Sequence, residues 1–372
     1  EPSATHGTRY TGPIHVSRTT YLRAALPQPD SVLQRTTCYT WLFMSDILTQ
    51  SSATPAGWPS SGSVNGQTMK YGLNSTTLNN DRARFINGIT NAPHVATLSL
   101  VCNLADLFGN GTGIYVYPGN QGRGWERPVS IECIDPVHGT NNEFQINAGI
   151  RIRGAASRST GNPKHSFHVF FREEYGTASK LNFPLFGEEG ATSFKKIDLR
   201  SEQNHSWHTT NERANTLVRD VFSRDSQRDM GEIAYGRSRY YHLYINGQYW
   251  GIYQTEERPE ENFGESYFGT EKTHWDVIKK NHDRQLECTN GSLDAYNQLF
   301  SLAISQGFSG SYANNYWKVQ GLNADGSTNA TYRPLLNLDG LINYVLISHL
   351  TADGDSPISA WSDFSNNINM LY

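Results

Sequence analysis

Several features that would place this chain in a simple class are missing from it. Its 372 residues include only four cysteines and no CxxC pair, which argues against a disulfide scaffold and a cysteine zinc site. No run of 18 apolar residues occurs, so no membrane span is expected. Its 31 basic and 35 acidic residues nearly balance, which leaves no broad basic field for nucleic acid. The GxSxG motif of many serine hydrolases is also absent.

The length and composition are those of a globular protein with more than one domain. A chain of 372 residues corresponds to about two or three domains. With glycine included, roughly 46% of the residues are apolar, which is ordinary for globular proteins. The chain begins at Glu1 without a methionine, and Tyr372 falls within a strand-like pattern. We therefore expect it to be a piece of a longer protein.

Composition divides the chain into three parts. Residues 1–44 contain short alternating runs at 10–14, 19–25 and 37–43, separated by proline and glycine, which predict the strands of a partial β-sandwich. Residues 45–92 are rich in Ser, Thr, Asn, Gly and Pro, which predicts a linker or a surface excursion. Residues 93–372 are predicted to form the main domain.

The main domain is predicted to be β-rich first and helix-rich second. Asn246-Gly247 is a strong turn signal for a hairpin over 239–253. Alternating or apolar runs predict strands at 95–101, 113–117, 129–134, 144–153, 165–171 and 195–199. Helical spacing predicts helices at 215–228, 260–268, 292–306 and 338–350, the last of them buried. This order is typical of an α+β domain with a sheet lobe and a helical lobe.

Cys102 and Cys133 lie in two short strand-like runs. If these strands were neighbours, the two thiols could come within bridging distance. Two separate buried thiols explain the pattern equally well.

Three segments carry residue types suited to chemistry. Arg151, Arg153 and Lys164 flank a loop rich in Gly, Ser and Asn, a combination that suits phosphate binding, although ordinary surface cations fit it too. The predicted hairpin ends in the carboxylates of Glu256 and Glu257, which suit either a site or a solvated strand end. Asp353 and Asp355 follow the last predicted helix, and Asn366-Asn367 come about ten residues later. They suit a general base and a cation ligand, and also plain turn chemistry.

In this order the residues resemble the CotH-type kinases, atypical protein kinases related to bacterial spore-coat protein H. The resemblance covers roughly residues 145–372. It rests on RIRGAASRSTGNPKHSF, on Leu199-Arg200, on Val218-Arg219-Asp220, and on LYINGQYWGIYQTEERPE with its NGxYxGxYxxxE pattern. Residues 1–44 are similar to the end of the β-sandwich at the C-terminus of chitobiase-like enzymes. The whole arrangement is similar to large secreted proteins of environmental bacteria.

The resemblance implies a two-lobed kinase-like fold, truncated at its C-terminus, and a role for each matching residue. Lys164 would contact the phosphates of ATP, with Arg153 nearby, and Glu257 would orient that lysine or a metal. Asp355 would accept the proton of a substrate hydroxyl; Asp353 is the alternative base. Asn367 would help to hold Mg²⁺ or Mn²⁺. Positioning and charge neutralisation of this kind supply most of the rate in phosphoryl transfer.

The resemblance also implies a partner and a location. It predicts a protein substrate with a Ser or Thr acceptor, and a protein that is extracellular or at a bacterial cell surface. The family has a further metal-binding aspartate beyond the strand that Tyr372 begins, so we expect this chain to bind metal-ATP poorly and to be inactive at this length. The alternative hypothesis is a non-catalytic surface or matrix module that binds polysaccharide or protein partners. The Ser/Thr-rich segment and 12% aromatic residues favour that alternative.

Overall fold

The chain folds as two units. The computed structural model describes residues 2, 6–26, 36–176, 178–201, 216–280, 285–354, 356–357 and 368–372. The first unit comprises Glu1–Leu217 and Ser238–Glu257, and the second comprises Val218–Arg237 and Arg258–Tyr372. The β-rich part of the predicted domain therefore falls mainly in the first unit and its helices mainly in the second.

A closed barrel forms the centre of the first unit. Its strands are β3 (Thr97–Val101), β4 (Arg127–Ile134), β5 (Phe144–Arg153), β6 (Ser166–Phe170), β9 (Lys196–Arg200), β10 (Ser238–Ile245) and β11 (Gln248–Glu256). Around the barrel they follow the order β10-β11-β9-β6-β5-β4-β3. Neighbours are antiparallel, apart from the parallel pair of β3 with β10. Closure leaves no strand edge within the barrel.

Alternation of apolar and polar side chains explains which face of each strand is inside. On β5, Ile150 and Ile152 are buried in the barrel core, whereas Arg151 and Arg153 are only partly buried on the other face. Successive side chains of a strand point to opposite faces of the sheet. The outward face of β5 therefore carries Arg151 and Arg153, two of the three cations of the predicted phosphate site.

The predicted hairpin is confirmed as β10 and β11. Its turn residues Asn246 and Gly247 have φ values of 46° and 77°, as a two-residue hairpin turn of this kind requires. The Asn246 side chain also accepts a hydrogen bond from the backbone N–H of Cys102 at 2.9 Å and donates to the Cys102 carbonyl at 3.0 Å. This asparagine thus shapes the turn and ties it to the end of β3.

Residues before the barrel pack around it. They include β1 (Thr20–Ala25) paired with β2 (Thr36–Trp41), and the helices α1 (Met44–Leu48), α2 (Ser75–Asn80) and α3 (Arg82–Thr90). No strand forms over 10–14, where the sequence predicts one. The partial sandwich over 1–44 stays a prediction. Within 45–92, Met69 and Tyr71 join the barrel core, so this segment contributes to folding as well as to the surface.

The strand predicted over 113–117 is wrong, because these residues form a buried turn after α4 (Leu104–Phe108). The backbone N–H groups of Ile114 and Tyr115 donate to the carbonyls of Asp106 and Leu107, each at 2.9 Å. A Cβ at Gly113 would lie 2.5 Å from the carbonyl oxygen of Leu107. The run is therefore apolar because the turn is packed into the core.

The two strand cysteines are separate buried thiols. β3 and β4 are neighbours as predicted, but the register places Cys133 opposite Leu98 and Ser130 opposite Val101. Cys102 follows Val101, so about 13 Å of strand separates the two thiols. That distance is too great for a disulfide bond.

In the residues that the structure describes, the second unit is mainly helical and has one small sheet. Its helices are α5 (Arg219–Asp229), α6 (Glu261–Phe268), α7 (Asp294–Phe300), α8 (Asn315–Lys318) and α9 (Leu338–Leu350). α7 continues as a π-helix over Ser301–Gln306. The sheet has the order β13-β12-β14, with β12 at Val277–Lys280, β13 at Leu286–Asn290 and β14 at Ile368–Leu371. A further strand pair, β7 (Leu181–Asn182) with β8 (Ser193–Phe194), belongs to the first unit.

The predicted bounds of α9 are confirmed, but its predicted burial is wrong. Asn337 caps the helix by accepting a hydrogen bond from the backbone N–H of Gly340 at 3.0 Å. Within α9 only Ile347 is buried, and Leu346 and Leu350 are 55% and 75% exposed. Within the described parts of the chain, no helix combines the length and the apolar character that a membrane span requires.

Candidate functional site

Lys164 lies two residues before β6, in a segment whose backbone is held by buried hydroxyl groups. The hydroxyl of Tyr115 donates to the carbonyl oxygen of Pro163 at 2.7 Å. The hydroxyl of Tyr253 donates to the carbonyl oxygen of His165 at 3.0 Å. Both tyrosines are fully or almost fully buried in the barrel core. The core therefore fixes the backbone on both sides of Lys164.

The ammonium group of Lys164 faces uncharged partners. Its Nζ donates to the carbonyl oxygen of Lys70 at 3.0 Å and lies 3.5 Å from the centroid of the Trp250 ring. Among the residues that the structure describes, Glu257 included, no carboxylate lies within 4.0 Å of this nitrogen. A cation over an indole face is attracted by the ring quadrupole, but its charge stays uncompensated.

Burial lowers the pKa of Lys164 from 10.5 to about 7. The cause is desolvation, which disfavours the charged form of a lysine. Near pH 7 the side chain is therefore shared between its charged and neutral forms. An anion placed beside Nζ would favour the charged form and raise this pKa.

Arg153 belongs to a row of charged side chains on the outer face of the barrel. Its Nε lies 2.6 Å from Asp198, and its Nη2 lies 3.3 Å from Glu256. His168 approaches Asp198 at 2.6 Å, and Arg200 approaches Glu256 at 3.8 Å. The strand register places Asp198 opposite both His168 and Glu256, which explains the row. A phosphate near Arg153 would have to compete with two carboxylates.

The structure describes only some of the other predicted site residues. Glu257 follows β11 directly and is 5% exposed. It forms no ion pair with Lys164 within 4.0 Å, so its predicted role in orienting that lysine stays a prediction. Asp355 and Asn367 lie outside the described residues. The alternative base Asp353 is exposed, and its backbone N–H donates to the carbonyl of Ser348.

A second group with possible ligand chemistry was not identified from the sequence. One ligand atom from each of His94, Asp135 and His138 lies within 4.8 Å of the others. The local signal is Asp-x-x-His directly after a strand. It is weak without His94, which joins the group only through the strand register.

Comparison with known proteins gives one result. A family model described as CotH kinase protein matches residues 150–369, well over half of the chain. A search of curated proteins finds no match. The matched range contains all five predicted site residues and begins after His94, Asp135 and His138.

Proposed function

Because the chain belongs to the CotH kinase family, we propose that it carries a protein kinase activity that transfers the γ-phosphoryl group of ATP to Ser or Thr hydroxyls. The observation that best supports this proposal is Lys164. It is a lysine whose backbone is held by the core, whose ammonium group meets no carboxylate within 4.0 Å among the described residues, and which lies in the segment where the family's phosphate-binding lysine is expected.

The residues around Lys164 suit a nucleotide phosphate. Its Nζ contacts only a carbonyl oxygen and an indole ring, so a phosphate oxygen would meet no competing carboxylate among the described residues. Desolvation that lowers the pKa of Lys164 also strengthens its attraction for an anion. Arg153 is a proposed second phosphate contact. To bind a phosphate it would give up its ion pairs with Asp198 and Glu256.

The proposed roles divide between binding and proton transfer. ATP, with Mg²⁺ or Mn²⁺, would supply the phosphoryl group and neutralise part of its charge. Lys164 would bind and orient the phosphates, with Glu257 as its orienting partner. Asp355 would accept the proton of the substrate hydroxyl, and Asn367 would hold the cation. The Lys164 side chain is partly buried, and a partly desolvated cation of this kind stabilises nearby negative charge more strongly than a cation in water.

The finer parts of the proposal concern architecture and setting. We propose that the two units correspond to the β-rich and helical lobes of a kinase-like fold. The proposed substrate is a protein outside the cell or at a bacterial cell surface. The family match favours this activity over a non-catalytic binding or adhesion module.

The test is ATP binding together with phosphate transfer. Calorimetry would titrate ATP with Mg²⁺ or Mn²⁺ into this chain and into a version extended past Tyr372, and transfer to dephosphorylated casein would be followed with labelled ATP. In the extended version we expect Lys164→Ala to reduce transfer by about 100-fold or more, since it removes a positioned charge.

The matched control is Lys70→Ala. Lys70 is exposed, and only its backbone carbonyl contacts Lys164, so this variant should keep wild-type activity. Equal transfer rates for wild type and Lys164→Ala would contradict the proposed site. No ATP binding by either length of protein would contradict the kinase activity itself.

A further inference from the structure

Two histidines and an aspartate meet at one end of the β3–β4 pair. Thr97 begins β3 and Ile134 ends β4, and these residues lie opposite each other. His94 comes three residues before β3 and Asp135 directly follows β4, so the antiparallel register brings them together. The turn after Asp135 brings His138 back to the same carboxylate, to which its backbone N–H donates at 2.9 Å.

Both histidines contact the carboxylate of Asp135, one at each oxygen. Nε2 of His94 lies 2.8 Å from Oδ1 of Asp135, and Nδ1 of His138 lies 2.9 Å from Oδ2. At metal–ligand distances of about 2.1 Å, donors this far apart subtend about 85° at an ion. This is close to the right angle of six-coordinate geometry. If the distance between two donor atoms increased to about 3.4 Å, the angle at the ion would be close to tetrahedral.

Other contacts hold the carboxylate in place. Asp135 is 1% exposed, and its oxygens also accept hydrogen bonds from the backbone N–H of Val137 and from the side-chain amide of Asn142. Partners that orient a ligating carboxylate in this way are typical of metal sites. The carboxylate of Glu143 accepts a hydrogen bond from the backbone N–H of Asp135 and adds negative charge nearby.

The cluster is also open to solvent on one side. The side chain of His138 is 60% exposed, whereas that of His94 is 7% exposed. An ion could therefore enter beside His138 and keep water as a further ligand. Two imidazole nitrogens with one carboxylate suit borderline divalent ions, whereas Mg²⁺ and Ca²⁺ prefer all-oxygen sites.

We propose that His94, Asp135 and His138 form a binding site for a borderline divalent metal ion of the Zn²⁺ class. None of these three residues is among those proposed for the kinase reaction, and all three precede the residues that the family model matches. Three protein ligands with an open position would leave the ion able to take up water or a fourth ligand.

Calorimetric titration of Zn²⁺ alone into the metal-stripped chain tests the proposal. We expect one tight site in the wild type and at least about 100-fold weaker binding in His138→Ala, because one of three ligands is lost. The matched control is His274→Ala, which removes an exposed histidine of the second unit. Equal affinity of the wild type and His138→Ala, or no stoichiometric binding, would overturn the proposal and leave a hydrogen-bonded cluster.

Thermal unfolding gives a second measurement. Saturating Zn²⁺ should raise the midpoint of the wild type and of His274→Ala, and should leave His138→Ala nearly unchanged, since an ion that binds only the folded state stabilises it. Lys164→Ala should bind Zn²⁺ like the wild type, which separates this test from that of the kinase proposal. A shift of equal size in His138→Ala would contradict the site.

Discussion

Lys164 combines a fixed backbone with a poorly solvated charge. The hydroxyls of Tyr115 and Tyr253 hold the adjoining carbonyl groups, and the ammonium group faces the ring of Trp250. The sequence predicted that this lysine matters for phosphate binding. It did not predict the low pKa, because Trp250 and Lys70 are far from Lys164 along the chain.

The lowered pKa of Lys164 makes stability depend on pH. Its folded-state pKa is about 7, against 10.5 ordinarily, so the unfolded chain binds more protons between these values. The free energy of unfolding should therefore rise with pH from about 7 to 10.5, by at most about 1.4 kcal/mol per pH unit from this group. Urea unfolding at several pH values should show that Lys164→Met loses this slope. The variant Lys70→Met, at an exposed position, should keep this slope. The prediction would be refuted if the free energy of unfolding changed with pH in parallel for the wild type and Lys164→Met.

Tyr115 links three parts of the first unit through one hydroxyl group. This hydroxyl donates to Pro163 and accepts hydrogen bonds from the backbone N–H of His165 and from Nε1 of Trp250. In Tyr115→Phe these buried groups would lose their partner, so we expect the free energy of unfolding to fall by about 3 kcal/mol.

Tyr117→Phe is the matched control for Tyr115→Phe. The Tyr117 hydroxyl donates to the exposed side chain of Asn110, where water can replace it, so a change within about 0.5 kcal/mol is expected. Denaturant unfolding of both variants measures the difference. Similar losses in the two variants would show that the Tyr115 hydroxyl has no special role.

Among the strands, the β1–β2 hairpin docks on the outer face of β3 and β4. The backbone N–H of Thr40 donates to Glu132 at 2.7 Å, and its hydroxyl lies 2.8 Å from that of Ser99. Ser99 and Glu132 are opposite each other in the register, so one threonine binds both strands. The sequence predicted the two hairpin strands, but not the surface that they cover.

Glu132 should make this docking sensitive to pH. Burial raises the pKa of Glu132 from 4.5 to about 7, and hydrogen bonds from Thr40 only partly offset that effect. The folded state binds more protons between these values, so stability should fall as pH rises from about 4.5 through 7. In Glu132→Gln we expect this loss, about 1 to 2 kcal/mol, to disappear.

Equilibrium unfolding at pH 5 and pH 8 compares the wild type with Glu132→Gln. The exposed Glu173→Gln serves as the control and should behave like the wild type. If the wild type and Glu132→Gln differ by the same amount at both pH values, Glu132 is not the source of the pH dependence.

Helix α9 illustrates the limit of apolar patterns. Its bounds follow from local signals, which are the helical spacing of an apolar run in the sequence and the Asn337 cap found in the structure. Its burial depends on what packs against it, and Leu341, Ile342, Leu346 and Leu350 are all more than 40% exposed. The turn at 113–117 shows the converse, since an apolar run there is buried without being a strand.

Over the entire chain, the apolar core is unevenly distributed. The main cluster of buried side chains joins barrel strands with side chains from residues 58–71, 104–117 and 181–194, all of them in the first unit. In the second unit α9 buries only Ile347. A region with more buried apolar side chains resists local unfolding more strongly.

Native-state hydrogen exchange should reflect this distribution. We expect the amides of β5 and β6 to exchange at the rate of global unfolding and those of α9 to exchange at least about tenfold faster. Exchange followed by mass spectrometry of peptides from the two regions measures the difference. Protection of α9 equal to that of β5 would contradict the expectation.

Local patterns in the amino-acid sequence were enough to predict the barrel strands, the Asn246-Gly247 turn and the α9 bounds, because each depends on residues close together in the chain. The family was predicted from the order of several such motifs over residues 145–372. Closure of the barrel, the row around Arg153 and the meeting of His94 with Asp135 were decided by folding alone. They depend on strand register, which joins residues far apart in sequence. One residue of slip would move every such side chain to the opposite face of the sheet.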